Sequence, residues 1–572
     1  MLGCYMKQNI LPFRGSYYPV LGQLLHEINV AGEINKVINV QDTQANIDVG
    51  TFTCLMILNI LGDVNIRLYR MGEFFEDKAL PLMIPWRPDI YVDEITDDRA
   101  ARVLDILWNA DPQKIFSAVT HAAIRIHNLD ISVIHGDTTS KSFIGAFENS
   151  EENGLAPWIT HGYSKDHRPD LKQLIFGVGS TADGGVPILA EITDGNESDK
   201  TLNGRWVTQL RSLLGKNNVE EFLLYIADSA LITTDNLTLM EKYHIDFISR
   251  LPGTFTLEEQ LKRTAFQQNT WVSLGKLSEE KTAAVYHVCD MTKEINNKTY
   301  RFVVVKSSQK DQRKLKAMDA TVQREHHQIT KLLQTLSKRP FACRRDAEIE
   351  TKKIRTKHTI HYHQINWIIT ETQEHVKRNQ RGRPKKTEAI SIQTQYYLTG
   401  KLRRDDTLYE QERELCGLFV LITSLKDTTK HSAQTILERY KGQGTIERIF
   451  KFIKNPSWIG SFCLKKPERL TALGYVLLIA AMIYTLWERR VRNKLTNKDT
   501  KPIEGLNKKK TTKPTTFALQ TILTSIMVLS QIQGGEWRIW LPKPLTTNQK
   551  HILELSGFNE DIYIWKRKNT FT

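Results

Sequence analysis

A chain of 572 residues with 40% hydrophobic content holds several domains with real cores, which excludes disorder as a whole-chain state. Its formal net charge of +15 and pI near 9.3 favour a polyanionic partner through counterion release, although many basic proteins bind nothing specific. Six scattered cysteines, Cys4, Cys54, Cys289, Cys343, Cys416 and Cys463, include no Cys-x-x-Cys pair, which argues against a disulfide framework or zinc site and for a reducing cytoplasm.

The N-terminus lacks a basic segment followed by an apolar core and a small-residue cleavage site, so secretion is disfavoured. Residues 1–128 read as mainly helical, with Phe52 to Leu61 as a core segment and Asp97 opening a further helix. Next comes Ile131-Ser-Val-Ile-His-Gly136, a short β-branched run of strand type that leads into Asp137, Thr138, Thr139 and Ser140. Leu171 to Ser180, the turn Asp183-Gly184-Gly185 and Val186 to Ile192 form a hairpin pattern. A helix over Leu202 to Leu214 follows, then Phe222-Leu-Leu-Tyr-Ile-Ala227, an apolar run suited to a central strand and closed by Asp228. Thr234 to Tyr243 is helical, with Thr and Asp available for capping, and Ile245 to Ile248 is a strand. Three strands, helix, strand, helix, strand is the order of the ribonuclease H-like fold. There the first and fourth strands lie side by side, which would bring Asp137 and Asp228 together.

Burying a carboxylate is costly unless it is paired or bound to metal. Either Asp taken alone is better read as a strand-end turn residue. The third acid lies on Tyr440-Lys-Gly-Gln443-Gly-Thr-Ile-Glu447-Arg-Ile-Phe-Lys-Phe-Ile-Lys454, read as one helix. At roughly 100° per residue, Tyr440, Gln443, Glu447 and Lys454 fall within about 60° of arc, beside a sector of Ile446, Ile449, Phe450 and Ile453. A solvated amphipathic face is the plainer account of that stretch alone. An Asp on each of two strands plus a Glu on a later helix suggests a divalent-metal site, and oxygen-only ligands favour magnesium or manganese over zinc. His161 and His167 match no tight ligand spacing and read as loop-ordering residues. Ala472 to Trp487 is apolar but shorter than the roughly 20 residues a bilayer requires; it reads as a helix covering one face of the catalytic sheet.

The basic residues cluster at Arg344-Arg345, Lys352-Lys353, Lys377-Arg378, Arg381-Gly-Arg-Pro-Lys-Lys386, Arg403-Arg404 and Lys508 to Lys510. Arg381-Gly-Arg383-Pro384 resembles the core of the AT-hook, which lays Arg-Gly-Arg along a narrow minor groove; a basic turn between two strands fits the tetrapeptide as well. Trp537, Trp540 and Trp565, with Gly534-Gly535, suggest a small C-terminal packing element, a natural place for dimerisation.

Tyr440, two residues, Gln443, three residues, Glu447, six residues, Lys454 resembles the Tyr-(2)-Arg-(3)-Glu-(6)-Lys signature of DDE transposases in the IS-four superfamily of bacterial insertion sequences. Gly136-Asp-Thr-Thr-Ser140 and Ile159-Thr-His-Gly-Tyr-Ser-Lys-Asp-His-Arg-Pro-Asp170, continuing into Leu171-Lys-Gln-Leu174, resemble its IS-sixteen-thirty-four-like branch. Gly195-Asn-Glu-Ser-Asp199, Glu73-Phe-Phe75 and Asp97-Asp-Arg99 add to the resemblance, which covers roughly Val30 to Arg492. The departure is Gln443, a neutral amide where the signature has an arginine able to fork onto a phosphate.

That resemblance implies an α/β chain with a ribonuclease H-like core, a mixed five-stranded sheet with helices, interrupted by a mostly β insertion. The expected divisions are a helical N-terminal domain over 1–128 for DNA-end binding or assembly, core over 129–251 and 415–495, insertion with a long basic helix over 252–414, and a C-terminal element over 496–572. It implies Asp137, Asp228 and Glu447 as catalytic metal ligands for Mg²⁺ or Mn²⁺, two ions in all. Tyr440, Gln443 and Lys454 become DNA contacts, with Arg381 and Arg383 as further candidates. The implied partner is double-stranded DNA, both terminal inverted repeats and target, bound by a homodimer in the bacterial cytoplasm or nucleoid, without a membrane. The implied activity is cleavage and strand transfer in cut-and-paste transposition. Alternatives are a catalytically impaired DNA-binding relic or regulator, and a host nuclease that cuts without joining.

Overall fold

The apolar stretches named above become the best-buried parts of the fold. In the computed structural model, which describes residues 10–38, 45–62, 68–147, 150–152, 154–216, 222–278, 282–375, 392–454, 464, 466–533 and 536–568, the chain divides into two units. The first is Met1–Pro252, Glu294–Tyr300 and Ile422–Thr572; the second is Gly253–Lys293 and Arg301–Leu421. Arg381 and Arg383 lie outside the described residues.

In the first unit the helix Val49–Ile60 is apolar all round and buried along its whole length, with Asp48 capping it by accepting from Thr51 N. Asp97–Asn109 starts on a Thr96 cap and Pro112–His127 on an Asp111 cap with proline at its first turn. These helices, together with Tyr18–Ile28, surround the long helix Pro467–Leu495. Among the described residues, one helix is long and apolar enough to cross a membrane, and it is this one; nearly all of its apolar window is buried within the protein. It covers part of the central sheet, Gly474 packing on Ile192 and Phe176 of the strands Pro187–Thr193 and Lys172–Thr181, and is at the same time the hub of the surrounding helices.

The N-terminal part is not purely helical. Ile10–Arg14 is a strand paired antiparallel with Met527–Gln533, in a four-stranded sheet completed by Glu536–Trp540 and Trp565–Lys568. Residues far apart in sequence thus share one element: Tyr563, fully buried, donates its hydroxyl to the Ser16 carbonyl. Trp537 and Trp565 meet edge to face at 4.9 Å.

The central sheet of this unit runs Pro187–Thr193, Lys172–Thr181, Val133–Phe143, Leu224–Ala227, Asp246–Arg250. The first three are antiparallel neighbours, whereas Val133–Phe143, Leu224–Ala227 and Asp246–Arg250 are parallel. Leu224–Ala227 is buried at every position, as a central parallel strand requires. The helices Asp199–Lys216 and Thr234–Lys242 separate these strands in sequence, the latter capped by Thr233.

The stretch Tyr440–Lys454 is two helices rather than one, Ala433–Lys441 and Gly444–Lys454. Glycines 442 and 444 weaken helix propagation between them, and the joint tightens into three-residue hydrogen bonds, Thr445 N to Gly442 O and Ile446 N to Gln443 O. A constant 100° rotation therefore does not hold from Tyr440 to Glu447. The second helix buries Ile446, Ile449, Phe452 and Ile453, with Phe452 in the place expected for Phe450. Arg448 pairs with Glu488 of the long helix, which also takes Arg492 and the Thr516 backbone N–H.

The second unit is as helical as it is β. Beside the strands Val272–Lys276, Val285–Ile295, His363–His375 and Ile392–Arg404 stand the helices Thr256–Gln268, Gln312–Leu336, Arg344–Lys357 and Asp406–Leu415. The expectation of a mostly β segment is corrected accordingly: charged, weakly amphipathic sequences such as Arg344–Lys357 hide their helical period, since only Ala347 and Ile354 are buried. Gln312–Leu336 buries Met318, Val322, Ile329, Leu333 and Leu336 along one stripe. Glu325 ties it to the hairpin by accepting from His361 N, Tyr362 N and His363 Nδ1.

Candidate catalytic centre

The parallel pairing ends at Gly136 opposite Ala227, so Asp137 and Asp228 follow one matched pair; Asp228 closes its strand, whereas Asp137 does not end one as the sequence suggested, since its strand runs on to Phe143 and pairs it with Val178. Gly136 is required there by close approach, since a Cβ would lie 2.2 Å from the Tyr225 hydroxyl. That hydroxyl donates to Asn203 Oδ1 at 2.7 Å, deep in the core. Asp137 Oδ1 accepts from Thr138 N at 2.7 Å, and Asp228 Oδ1 accepts from Ala230 N at 3.0 Å, capping the short turn that follows its strand.

Both carboxyls are raised above the ordinary range, chiefly by burial. Asp137 is pushed up to about 6, with Asp228 and Asp199 adding to the effect and Lys165 and the Thr138 N–H opposing it. Asp228 is raised by burial and by Asp199, against the Ala230 N–H and Lys165. In both, burial is the main cause and a neighbouring carboxylate adds to it.

The positive charge present comes from Lys165. Its ammonium donates to the Thr138 carbonyl at 2.8 Å, lies 3.3 Å from Asp199 Oδ2 and 3.8 Å from Asp137 Oδ1, and its backbone N–H donates to Ser140 Oγ at 3.0 Å. Thr138 Oγ1 donates to Asp199 Oδ1 at 2.6 Å. Lys165 and Asp199 stand in Ile159–Asp170 and Gly195–Asp199, motifs that sequence reading singles out without assigning either residue a role; only the three-dimensional approach reveals one.

Tyr440 lies in the same field. Burial raises its phenol, Asp228 and Asp137 add to that, and Arg250 opposes it. Gln443 is partly buried and its Nε2 finds no hydrogen-bond partner. Gly442 packs on the ring of His135, where a Cβ would stand 3.2 Å away, and burial draws that histidine down to about 4, so it is neutral. Lys454 pairs with Asp166, while Lys141 reaches the Lys454 carbonyl at 3.5 Å and is brought down to about 8 by burial and by Lys454. His161 Nδ1 meets the Pro169 carbonyl at 3.3 Å, a loop contact.

Glu447 is exposed and, among the described residues, has no side-chain hydrogen-bond or ion-pair partner. Among the described residues no three His, Cys, Asp or Glu side chains are gathered so as to hold a metal ion, so the expected triad is not preassembled. Like charges do not collect without a compensating cation, and the cation here is one ammonium. The oxygen donors of Asp137 and Asp228 nevertheless fit a hard divalent ion, whose charge would offset the burial that raises both.

Residues 152–483, more than half of the chain, match the family model described as Transposase DDE domain, and residues 14–121 match a domain of unknown function, DUF4277. No curated protein matches in sequence. Among solved structures, the chain is similar to a piggyBac transposase in a synaptic complex with hairpin DNA, at 9% identity and a TM-score of 0.36, covering 90% of this chain and 82% of that one. It is also similar to a Mos1 transposase in a paired-end complex with the left transposon end, at 9% identity and a TM-score of 0.15, covering 32% of this chain and 59% of that one.

Proposed function

The chain belongs to the transposase DDE domain family, and from that premise we propose that it cuts DNA at the terminal inverted repeats of an insertion sequence and joins the freed ends to target DNA. The observation that carries this is the pair Asp137, within the strand Val133–Phe143, and Asp228, directly after the parallel neighbour Leu224–Ala227, both raised by burial. We read the sheet and its flanking helices as a ribonuclease H-like core, the second unit as an insertion within it, and the chain as a member of the IS-four superfamily, in its IS-sixteen-thirty-four-like branch. Residues 1–128 and 496–572, whose strands share a sheet, would serve DNA-end binding or assembly of a homodimer.

Asp137 and Asp228 would hold Mg²⁺ or Mn²⁺, with Glu447 as the third ligand from the helix Gly444–Lys454. Bound there, one or two such ions supply charge neutralisation at the phosphate and a more acidic water or 3′-hydroxyl. The chain's own residues align and neutralise. Lys454 and Lys141 would face the phosphates, Tyr440 would pack against the strand near the cleaved bond, and no protein nucleophile is needed where alignment and electrostatics carry the displacement. His135, neutral and buried, takes no proton.

Gln443 favours a second reading, a DNA-binding relic whose cleavage is impaired, because a neutral amide, its Nε2 without a partner among the described residues, stands where the signature has an arginine. Incubating the protein and its Asp137→Ala and Gln443→Arg variants with a labelled duplex carrying the element's own end, with Mg²⁺ or Mn²⁺, separates the two. Metal-dependent cleavage lost in Asp137→Ala supports the active enzyme. Binding without cleavage, restored by Gln443→Arg, supports the relic.

A further inference from the structure

Lys165 holds the place that a cation between these carboxylates would take. Its ammonium touches Asp199 and Thr138 and comes within 3.8 Å of Asp137, and the fields of both Asp137 and Asp228 include it. The residue is anchored by its backbone, through Ser140 Oγ, while the ammonium rides on a flexible four-carbon stem whose side chain is 28% exposed. The next residue, Asp166, holds Lys454. One short turn therefore ties two lysines to carboxylates beside the surface on which a phosphate would arrive.

We propose that Lys165 is a displaceable counter-ion that occupies the divalent-cation site in the DNA-free protein and moves to a DNA phosphate when the duplex binds. The inference rests on the metal-site reading given above and deepens it. Its consequence is coupling: a phosphate that draws the ammonium outward leaves Asp137 with uncompensated charge, so DNA tightens divalent-cation binding, and by linkage the cation tightens DNA. Lys165 is on this account a positioning residue and not a ligand. A purely structural lysine predicts the opposite sign, because its loss would loosen the carboxylates and weaken the ion.

The test is Mn²⁺ binding to the full chain, followed by the electron paramagnetic resonance of free Mn²⁺, with and without a mixed-sequence duplex. Without DNA, Lys165→Met binds Mn²⁺ on the order of tenfold more tightly than the wild type, since a full positive charge about 4 Å from the ligand has gone. Lys165→Arg stays at the wild-type level. The duplex tightens Mn²⁺ binding to the wild type by a similar factor and leaves Lys165→Met nearly unchanged. Lys165→Gln, which keeps a donor for the Thr138 carbonyl, replaces Lys165→Met if circular dichroism shows the latter unfolded. Binding in the neutral variants that is equal to or weaker than wild type, with wild-type binding lost in Asp137→Ala, overturns the counter-ion and leaves the metal site standing. Mn²⁺ binding that Asp137→Ala does not alter, or no binding at all, overturns the metal-site reading and this inference with it.

Discussion

Gly136→Ala tests whether close packing behind the two carboxylates fixes their separation. The new methyl carbon would lie 2.2 Å from the Tyr225 hydroxyl oxygen and 2.6 to 2.7 Å from the ring carbons beside it, well inside van der Waals contact. The ring has little room to retreat, because Tyr225 is fully buried and its hydroxyl is bound to Asn203. Overpacking of this kind costs about 1–3 kcal/mol, and so deep an overlap belongs at the upper end. At roughly 2–4 °C per kcal/mol for a domain of 150–250 residues, the thermal midpoint should fall by roughly 6–12 °C. Because Gly136 and Ala227 are the last paired residues before Asp137 and Asp228, the same strain should separate the carboxylates and reduce cleavage beyond any loss of folded protein. The assay is scanning fluorimetry beside cleavage measured well below the midpoint. A double-mutant cycle with Tyr225→Ala should show coupling of about 1 kcal/mol or more, the alanine at 136 costing less once the ring is gone. An unchanged midpoint in Gly136→Ala, or strict additivity with Tyr225→Ala, would refute the reasoning.

Asp228→Asn should abolish cleavage while leaving duplex binding within a few-fold of wild type by gel shift; equal loss of both would break the division between carboxylates that do chemistry and lysines that hold DNA. Asp137 is raised to about 6 in the folded protein, above the usual carboxylate value near 3.9, so the folded state binds the proton more readily than the unfolded. Its ionisation therefore lowers stability as pH rises through that window, and the penalty is fully present above about pH 6. Asp137→Asn should melt higher than wild type at pH 7.5 in metal-free buffer, with the gain fading towards pH 4; a gain independent of pH would assign it to packing. Glu488→Ala leaves Arg448 and Arg492 beside a partly buried gap and the Thr516 N–H unpaired. It should cost about 1–3 kcal/mol, chiefly from the unpaired Thr516 N–H, because both arginines remain partly exposed to water, seen as a lower denaturant midpoint.

What the sequence shows of this protein is what local pattern can encode. The β-branched run before Asp137, the apolar run before Asp228 and the Asp183-Gly184-Gly185 turn each carry their own period or turn chemistry, and the strands and hairpin form where those patterns lie. The adjacency of the first and fourth strands follows from their order, because parallel neighbours need a crossover and here a helix supplies one. Three features have no such local signal. Two glycines, each tolerable in a helix, together divide Tyr440–Lys454 into two helices. The pairing of Ile10–Arg14 with Met527–Gln533 joins opposite ends of the chain, and nothing within either strand names its partner. Lys165 is one of 79 lysines and arginines, distinguished only once the fold sets its ammonium between Asp137 and Asp199. Asp228 was legible because a carboxylate closing a buried strand is anomalous where it stands, whereas the strand of Asp137 runs on to Phe143 past the point where its β-branched run stops. A lysine in a polar turn is ordinary until its distance to those acids is known, so charge balance in such a centre must be read from the structure even where the acidic half can be read from the sequence.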